Sequence, residues 1–192
     1  MGILRGVDAT HGQQSGARRA AGLLESEPVV LAFIAPRGIG LTAWDASEKK
    51  QTHIRRRFYL LGQTLEGMQA WDVRRGLQAV RSLEDLPVRV QAQGPMAGVT
   101  AYACLFEPPT EQILLLEPSY SHRTGPHLLN VQRYLDLPQT MALIASDTPL
   151  MIYDRPEPWN YPQKVLLRLG SEGRLIIQPP PQEPAARLLV GP

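Results

Sequence analysis

Short apolar runs, each closed by proline, glycine or polar residues, alternate along the chain with segments of helical periodicity. Aliphatic runs of this length that are apolar throughout are typical of strands buried on both faces of a sheet. Strands are predicted at 29–34, 88–92, 112–117, 149–153 and 174–178. Helices are predicted at 64–83, 97–106, 128–135, 139–145 and 161–169. The alternation predicts an α/β fold with a mostly parallel sheet of about five to six strands and helices on both faces.

Length and composition fit an ordinary globular chain of 192 residues, with 43% hydrophobic and 20% charged residues. We expect one domain over 1–178 and a proline-rich tail over 179–192. The net charge of +2 provides no broad field for nucleic acid, so the arginines at 55–57 are interpreted as a solvated loop edge.

Neither a membrane-spanning segment nor a signal peptide is expected. No apolar run reaches the roughly 18 residues of a membrane span, and the N-terminus lacks the apolar stretch of a signal peptide. The compartment stays open. The only cysteine, Cys104, allows neither an internal disulfide nor a thiolate zinc site, and it is expected in the core. No metal and no cofactor are expected.

The most informative segment joins the predicted strand 88–92 to the helix that follows it. Gly94 and Gly98 flank Met96 with the spacing of a nucleophile elbow, the sharp turn that lifts a catalytic side chain above a sheet. A thioether has no ionisable proton, so Met96 cannot be the acyl acceptor. We therefore expect Met96 to fill a former active-site pocket; the alternative is a core or surface methionine on a turn that was never an elbow.

Two further motifs carry a resemblance to the α/β-hydrolase family. The loop after the first predicted strand keeps Arg37, Gly38, Gly40 and Thr42 of a D-x-R-G-x-G-x-S/T pattern, with Ala35 in the aspartate position. The sequence LLGQTLEGM followed by WDVRR resembles the helix before the elbow in acetyl-xylan-esterase-like and dienelactone-hydrolase-like members. The resemblance covers roughly residues 29 to 178 and implies ester hydrolysis, of carbohydrate esters among others.

The resemblance also implies where a catalytic triad would stand. The five predicted strands would be the fourth to the eighth of the family's sheet, and the early strands would be missing or reduced. Asp154 would follow the seventh strand, where the triad acid is found. The triad histidine should come later in the chain, but the four histidines, His11, His53, His122 and His127, all precede Asp154. The alternative role for Asp154 is a strand-end aspartate that caps a turn.

The loop at 119–127 offers a second candidate site. Ser119, Ser121, His122 and His127 crowd the carboxyl end of a predicted strand, where ligands bind in open α/β sheets. A relocated catalytic pair would use Ser121 or Ser119 as nucleophile and His122 or His127 as base. A polar loop without catalytic duty is the preferred interpretation, because adjacent residues seldom point at each other.

Together these patterns predict a catalytically degenerate α/β-hydrolase homologue, or the C-terminal part of a longer chain, that acts in binding or assembly. Its ligand would be a small ester or carbohydrate, and an open sheet edge would pair with a partner chain or a second copy. One alternative is an active esterase using the 119–127 loop. Another is a small-molecule module that holds an anion at the Gly94–Gly98 turn.

Overall fold

Four parallel strands form the sheet of this protein. The structure, a computed structural model, describes residues 30–44, 47–83 and 86–180. The strands are β1 (Arg89–Gln93), β2 (Gln112–Leu116), β3 (Leu150–Tyr153) and β4 (Leu175–Gln178). They lie in chain order, and each pairs in parallel with the next. The predicted α/β fold with a parallel sheet is confirmed; most of the predicted tail at 179–192 lies outside the described residues.

Five helices accompany the described strands: α1 (Glu48–Leu60), α2 (Leu65–Leu83), α3 (Pro95–Leu105), α4 (Leu137–Asp147) and α5 (Asn160–Arg168). The helices predicted at 64–83, 97–106, 139–145 and 161–169 correspond to α2 to α5. The helix predicted at 128–135 is wrong except for a single 3-10 turn at Val131–Arg133. None of the helices in the described ranges is long and apolar enough to cross a membrane.

The main core lies between one face of the sheet and the helices. Val90, Ile113, Leu115 and Ile152 alternate along the strands with residues of the other face, and they pack with buried residues of α2, α3, α4 and α5. Right-handed crossovers that step the same way across a parallel sheet must place their helices on one face. The sequence predicted helices on both faces, whereas the described crossover helices share one.

The opposite face of the sheet has a smaller cluster of its own. Leu114, Leu116 and Tyr153 are each at most 5% exposed and pack against Met151. Among the described residues, no helix residue belongs to this cluster.

The predicted strand at 29–34 is wrong over its described part. Residues 30–34 form no strand, and the Phe33 side chain is 75% exposed. The segment crosses helix α2 instead of joining the sheet: a Cβ on Gly76 would lie 2.6 Å from Ile34 Cδ1. Most side chains of the described part of this run are exposed, so its apolar composition specified neither a strand nor burial.

The arginines at 55–57 lie on helix α1, so their interpretation as a loop edge is also wrong. This helix is rich in Lys, Arg, Gln and Glu, which lose little side-chain entropy in helices. It has no buried residue, and its apolar spacing is therefore too weak for periodicity to reveal it. Arg55 pairs with Glu66 at the start of α2, at 2.5 Å.

The two motifs that carried the family resemblance are bonded to each other. Arg37 Nε and Nη2 donate to the two carboxylate oxygens of Asp72 at 2.7 and 2.5 Å, and Arg37 N donates to Asp72 Oδ2 at 3.0 Å. Gln69 Nε2 donates to the Arg37 carbonyl at 3.0 Å. The hydrogen bonds from the Arg37 side chain outweigh burial and lower the pKa of Asp72. The loop at 37–44 is therefore anchored to α2 through residues 35 positions apart.

A double-mutant cycle on Arg37→Ala and Asp72→Ala measures this anchor. We expect a coupling free energy of about 1 kcal/mol in urea unfolding, because the pair is bidentate but partly solvated. The Arg37 side chain is 35% exposed, so the coupling should fall in high salt. In a control cycle, Asp72→Ala is combined with Arg168→Ala. Arg168 is an exposed arginine on α5 that does not bond to Asp72, so this cycle should give no coupling free energy. Equal values in the two cycles would contradict the assignment.

Candidate functional site

The bend between β1 and α3 is made by Gly94, two residues before the predicted central residue Met96. Gly94 has φ 56° and ψ −130°, and its N–H donates to the Leu116 carbonyl at 2.9 Å. Pro95 is the first helical residue, where its fixed φ and missing N–H are tolerated. Met96 therefore falls inside the first turn of α3, half-buried against the main core. The prediction that Met96 is the apex of the turn is wrong, because the proline starts the helix and leaves the strained conformation to Gly94.

The apex has room for a side chain but carries none. A Cβ built on Gly94 would meet no heavy atom within 4 Å, although its positive φ would strain any L residue. In an elbow the nucleophile occupies the strained residue, from which its side chain projects above the sheet. This position here offers no oxygen or sulfur atom to attack an acyl group.

Gly98 serves a packing purpose one helical turn later. A Cβ at Gly98 would lie 2.5 Å from Pro126 Cδ, closer than real Cβ contacts. The loop after β2 thus reaches the surface of α3 because this position has no side chain.

Asp154 lies directly after β3 and bonds to its own turn. Its Oδ1 accepts from Arg155 N at 2.8 Å, and its Oδ2 accepts from the indole Nε1 of Trp159 at 3.1 Å. Trp159 is fully buried. These bonds match the turn-capping alternative, and no described histidine bonds to this carboxylate.

Asp136 organises the loop that contains Ser121 and His122. Its Oδ2 accepts from Ser121 Oγ at 2.7 Å, and its Oδ1 accepts from His122 N at 2.7 Å and from Leu137 N at 2.9 Å. Asp136 also caps α4 in a capping box with Gln139. One carboxylate therefore fixes both the loop after β2 and the start of the next helix.

The His122 ring faces away from Ser121, into the protein. His122 is 5% exposed, with Nδ1 2.7 Å from the Pro126 carbonyl and Nε2 2.8 Å from the Tyr102 hydroxyl. The Pro126 carbonyl only accepts, so Nδ1 donates to it, and Nε2 lies within hydrogen-bond distance of the Tyr102 hydroxyl. The Tyr102 hydroxyl is also 2.9 Å from Thr140 Oγ1. Burial raises the pKa of the Tyr102 phenol, which keeps it a neutral donor.

The structure thus brings Ser121 and His122 to the same carboxylate but not to each other. The Ser121 hydroxyl donates a hydrogen bond to Asp136, and the ring nitrogens of His122 bond to Tyr102 and Pro126. The sequence analysis missed Asp136 and Tyr102. The D-x-x-Q spacing of Asp136 and Gln139 is a capping-box signal that could have located the first. Nothing in the apolar segment around Tyr102 marks the second.

An open cavity of about 490 Å³ lies between the end of α1 and the loop after β2. Its lining comprises Tyr59, Thr64, His122, His127, Leu128, Leu129, Asn130, Val131, Gln132 and Arg133. None of these residues is acidic. His122 joins the cavity to the Asp136 network.

Cys104 is buried as expected, and burial raises the pKa of its thiol to about 12. At neutral pH it is therefore a thiol and a poor nucleophile. Within the described ranges, no three His, Cys, Asp or Glu residues form a group that could hold a metal ion.

Replacing Gly98 with alanine tests the close approach of Pro126. We expect a loss of about 1–3 kcal/mol in the free energy of unfolding, because overpacking outweighs the gain in helix propensity. The matched control is Gly173→Ala, whose Cβ would meet nothing within 4 Å and which needs no positive φ. If urea unfolding finds both variants as stable as the parent, the close contact is not there.

Acid titration of stability tests the Asp136 network. Burial acts to raise the pKa of Asp136, but hydrogen bonds from His122 N, Ser121 and Leu137 N outweigh it and lower the pKa below 3.8. A carboxylate with a lowered folded-state pKa stabilises the fold above its unfolded pKa and loses that contribution as the pH falls through the folded value. Between about pH 5 and pH 2.5, the parent should therefore lose more stability than Asp136→Asn does.

The control for this titration is Asp147→Asn, at the exposed end of the same helix. It should keep the acid dependence of the parent. If the free energy of unfolding depends on pH in the same way in the parent and in Asp136→Asn, the network does not stabilise the charged carboxylate.

Comparison with known proteins adds no assignment. The chain matches no family model, no curated protein and no solved structure. Its function has to be argued from the Gly94 bend, the Asp136 network and the cavity.

Proposed function

We propose that this chain is a catalytically degenerate α/β-hydrolase homologue that binds a ligand and does not hydrolyse esters. The observation that carries the proposal is the connection between β1 and α3. A strand, a glycine with φ 56° and a helix follow one another directly, as in an elbow, but the apex residue has no side chain.

The arrangement around the bend also supports descent from an α/β-hydrolase. β1 to β4 are parallel and in chain order, as proposed for the fifth to eighth strands of the family's sheet. Asp154 follows β3, at the expected position of the triad acid. The R-G and W-D motifs are joined through Arg37 and Asp72.

Loss of catalysis follows from chemistry at the proposed triad positions. Gly94 supplies no nucleophile, and Asp154 is bonded to Trp159. A triad acts as a unit, so removing one member typically lowers kcat by about 10⁴ to 10⁶. All four histidines precede Asp154 in the chain, so the nucleophile and the histidine base are the two members that the proposed triad lacks.

The two alternative functions receive less support. An esterase based on Ser121 needs a base beside its hydroxyl, and the partner there is Asp136. A carboxylate fixed by three hydrogen bonds, with a lowered pKa, is a weak base. An anion site at the Gly94–Gly98 turn is disfavoured because Pro95 removes one of the N–H groups that would hold the anion.

An open sheet edge remains part of the proposal. β4 pairs only with β3 among the described strands. A second copy or a partner chain would assemble by adding a strand at this edge of the sheet. Binding and assembly are therefore compatible roles.

Hydrolysis of p-nitrophenyl acetate tests the proposal. The parent protein should release nitrophenol no faster than the heat-denatured sample. Gly94→Ser should gain no activity, because it restores a hydroxyl at the apex without a general base.

Ser121→Ala and Ser146→Ala form the matched pair for this assay. Ser146 lies on α4 and donates only to a backbone carbonyl of its own helix. The proposal is overturned if the parent hydrolyses the ester, Ser121→Ala abolishes this activity and Ser146→Ala preserves it. The protein would then be an active esterase.

A further inference from the structure

We propose that the cavity between α1 and the loop after β2 binds a small organic anion: a carboxylate or phosphate ester with an apolar body. The inference rests on the proposed binding function and gives it a site and a ligand class. It places the site outside the Gly94 bend, since no residue of that turn lines the cavity.

The charges around the cavity favour an anion. Among the described lining residues, Arg133 is the only permanently charged one, and the remaining ionisable side chains are those of His122, His127 and Tyr59. Arg133 and His127 are exposed and have no recorded side-chain partner in the part of the chain that the structure describes. An arginine fork binds carboxylate and phosphate oxygens in a bidentate manner, so Arg133 is the primary ligand-binding group.

Further donors surround the same space. Thr64 Oγ1 accepts from Gly67 N at 3.0 Å, which leaves its proton free to donate. The side chains of Tyr59, Asn130 and Gln132 make no recorded hydrogen bond within the described ranges. Amides and hydroxyls of this kind can orient the oxygen atoms of an anion after Arg133 neutralises the charge.

The apolar lining defines the remainder of the ligand. Leu128, Leu129 and Val131 stand on the loop side of the cavity. The volume of about 490 Å³ exceeds the need of a bare inorganic ion and lies within the range of small-molecule sites. The ligand therefore combines an acidic group with an aliphatic or aromatic body.

The position of the cavity in the fold agrees with a binding role. Its loop begins at the carboxyl end of β2, where ligands bind in open parallel sheets. One lining residue, His122, is fixed by hydrogen bonds to Tyr102, Pro126 and Asp136. A fixed lining residue lowers the entropic cost of binding.

Isothermal titration calorimetry with four related probes tests the proposal. Phenyl phosphate and benzoate carry the anion, benzyl alcohol is neutral and benzylamine is cationic. We expect binding of at least one anion, and affinities at least tenfold weaker for the alcohol and the amine. The anion that binds with the higher affinity shows whether the site prefers a phosphate or a carboxylate group.

Arg133→Gln is the decisive variant, and Arg123→Gln is its control. Arg123 lies on the same loop and is exposed, but it does not line the cavity. Loss of one charge-assisted contact should lower the affinity for the anion about tenfold or more in Arg133→Gln. The affinity of Arg123→Gln should equal that of the parent. Both side chains are exposed, so thermal melting should find both variants folded.

Three results would overturn the proposal: no heat with either anion, equal affinity for benzyl alcohol, or equal effects of the two arginine variants. The esterase assay tests the proposed function separately from this ligand class. Ester hydrolysis by the parent protein would overturn the degenerate-enzyme function. Absence of both hydrolysis and anion binding would overturn only the proposed ligand class.

Discussion

Parallel pairing of four strands in chain order is the constraint from which the arrangement of this protein follows. Each strand must be reached by a crossover, and crossovers of one hand that step in one direction place their helices on one face. The carboxyl ends of the strands then meet at one edge of the sheet. Gly94, the loop after β2 and Asp154 arrive at that edge because each follows a strand directly.

The polar groups at this edge hold the structure together. Asp154 fixes the turn with Trp159, Asp136 fixes the loop and α4, and His122 links the loop to Tyr102. Buried donors and acceptors of this kind are stabilising only when each finds a partner. Groups that are satisfied in this way fix the loops that follow β2 and β3.

Particular residues explain how far the sequence could predict this structure. β1 to β4 and the four helices α2 to α5 follow from runs and periodicities that match their buried faces. The segment with Phe33 and Ile34 has the same composition as a strand, but in the structure Ile34 contacts α2 at Gly76 and Phe33 is exposed. Helix α1 has no buried face, so it left no pattern to find.

The candidate site divides in the same way. The sequence located the segment of the bend, but the apex moved from Met96 to Gly94 because Pro95 begins the helix. Ser121 and His122 could be singled out as polar neighbours, yet their common partner Asp136 comes 14 or 15 residues later in the chain.

By itself, the sequence determined the parallel α/β architecture and the absence of a nucleophile from the turn, because periodicity and residue chemistry are local properties. Only the tertiary structure decided that Arg37 meets Asp72, that Pro126 rests on Gly98 and that His122 bonds to Tyr102. Those contacts join distant parts of the chain, and packing in three dimensions selects them.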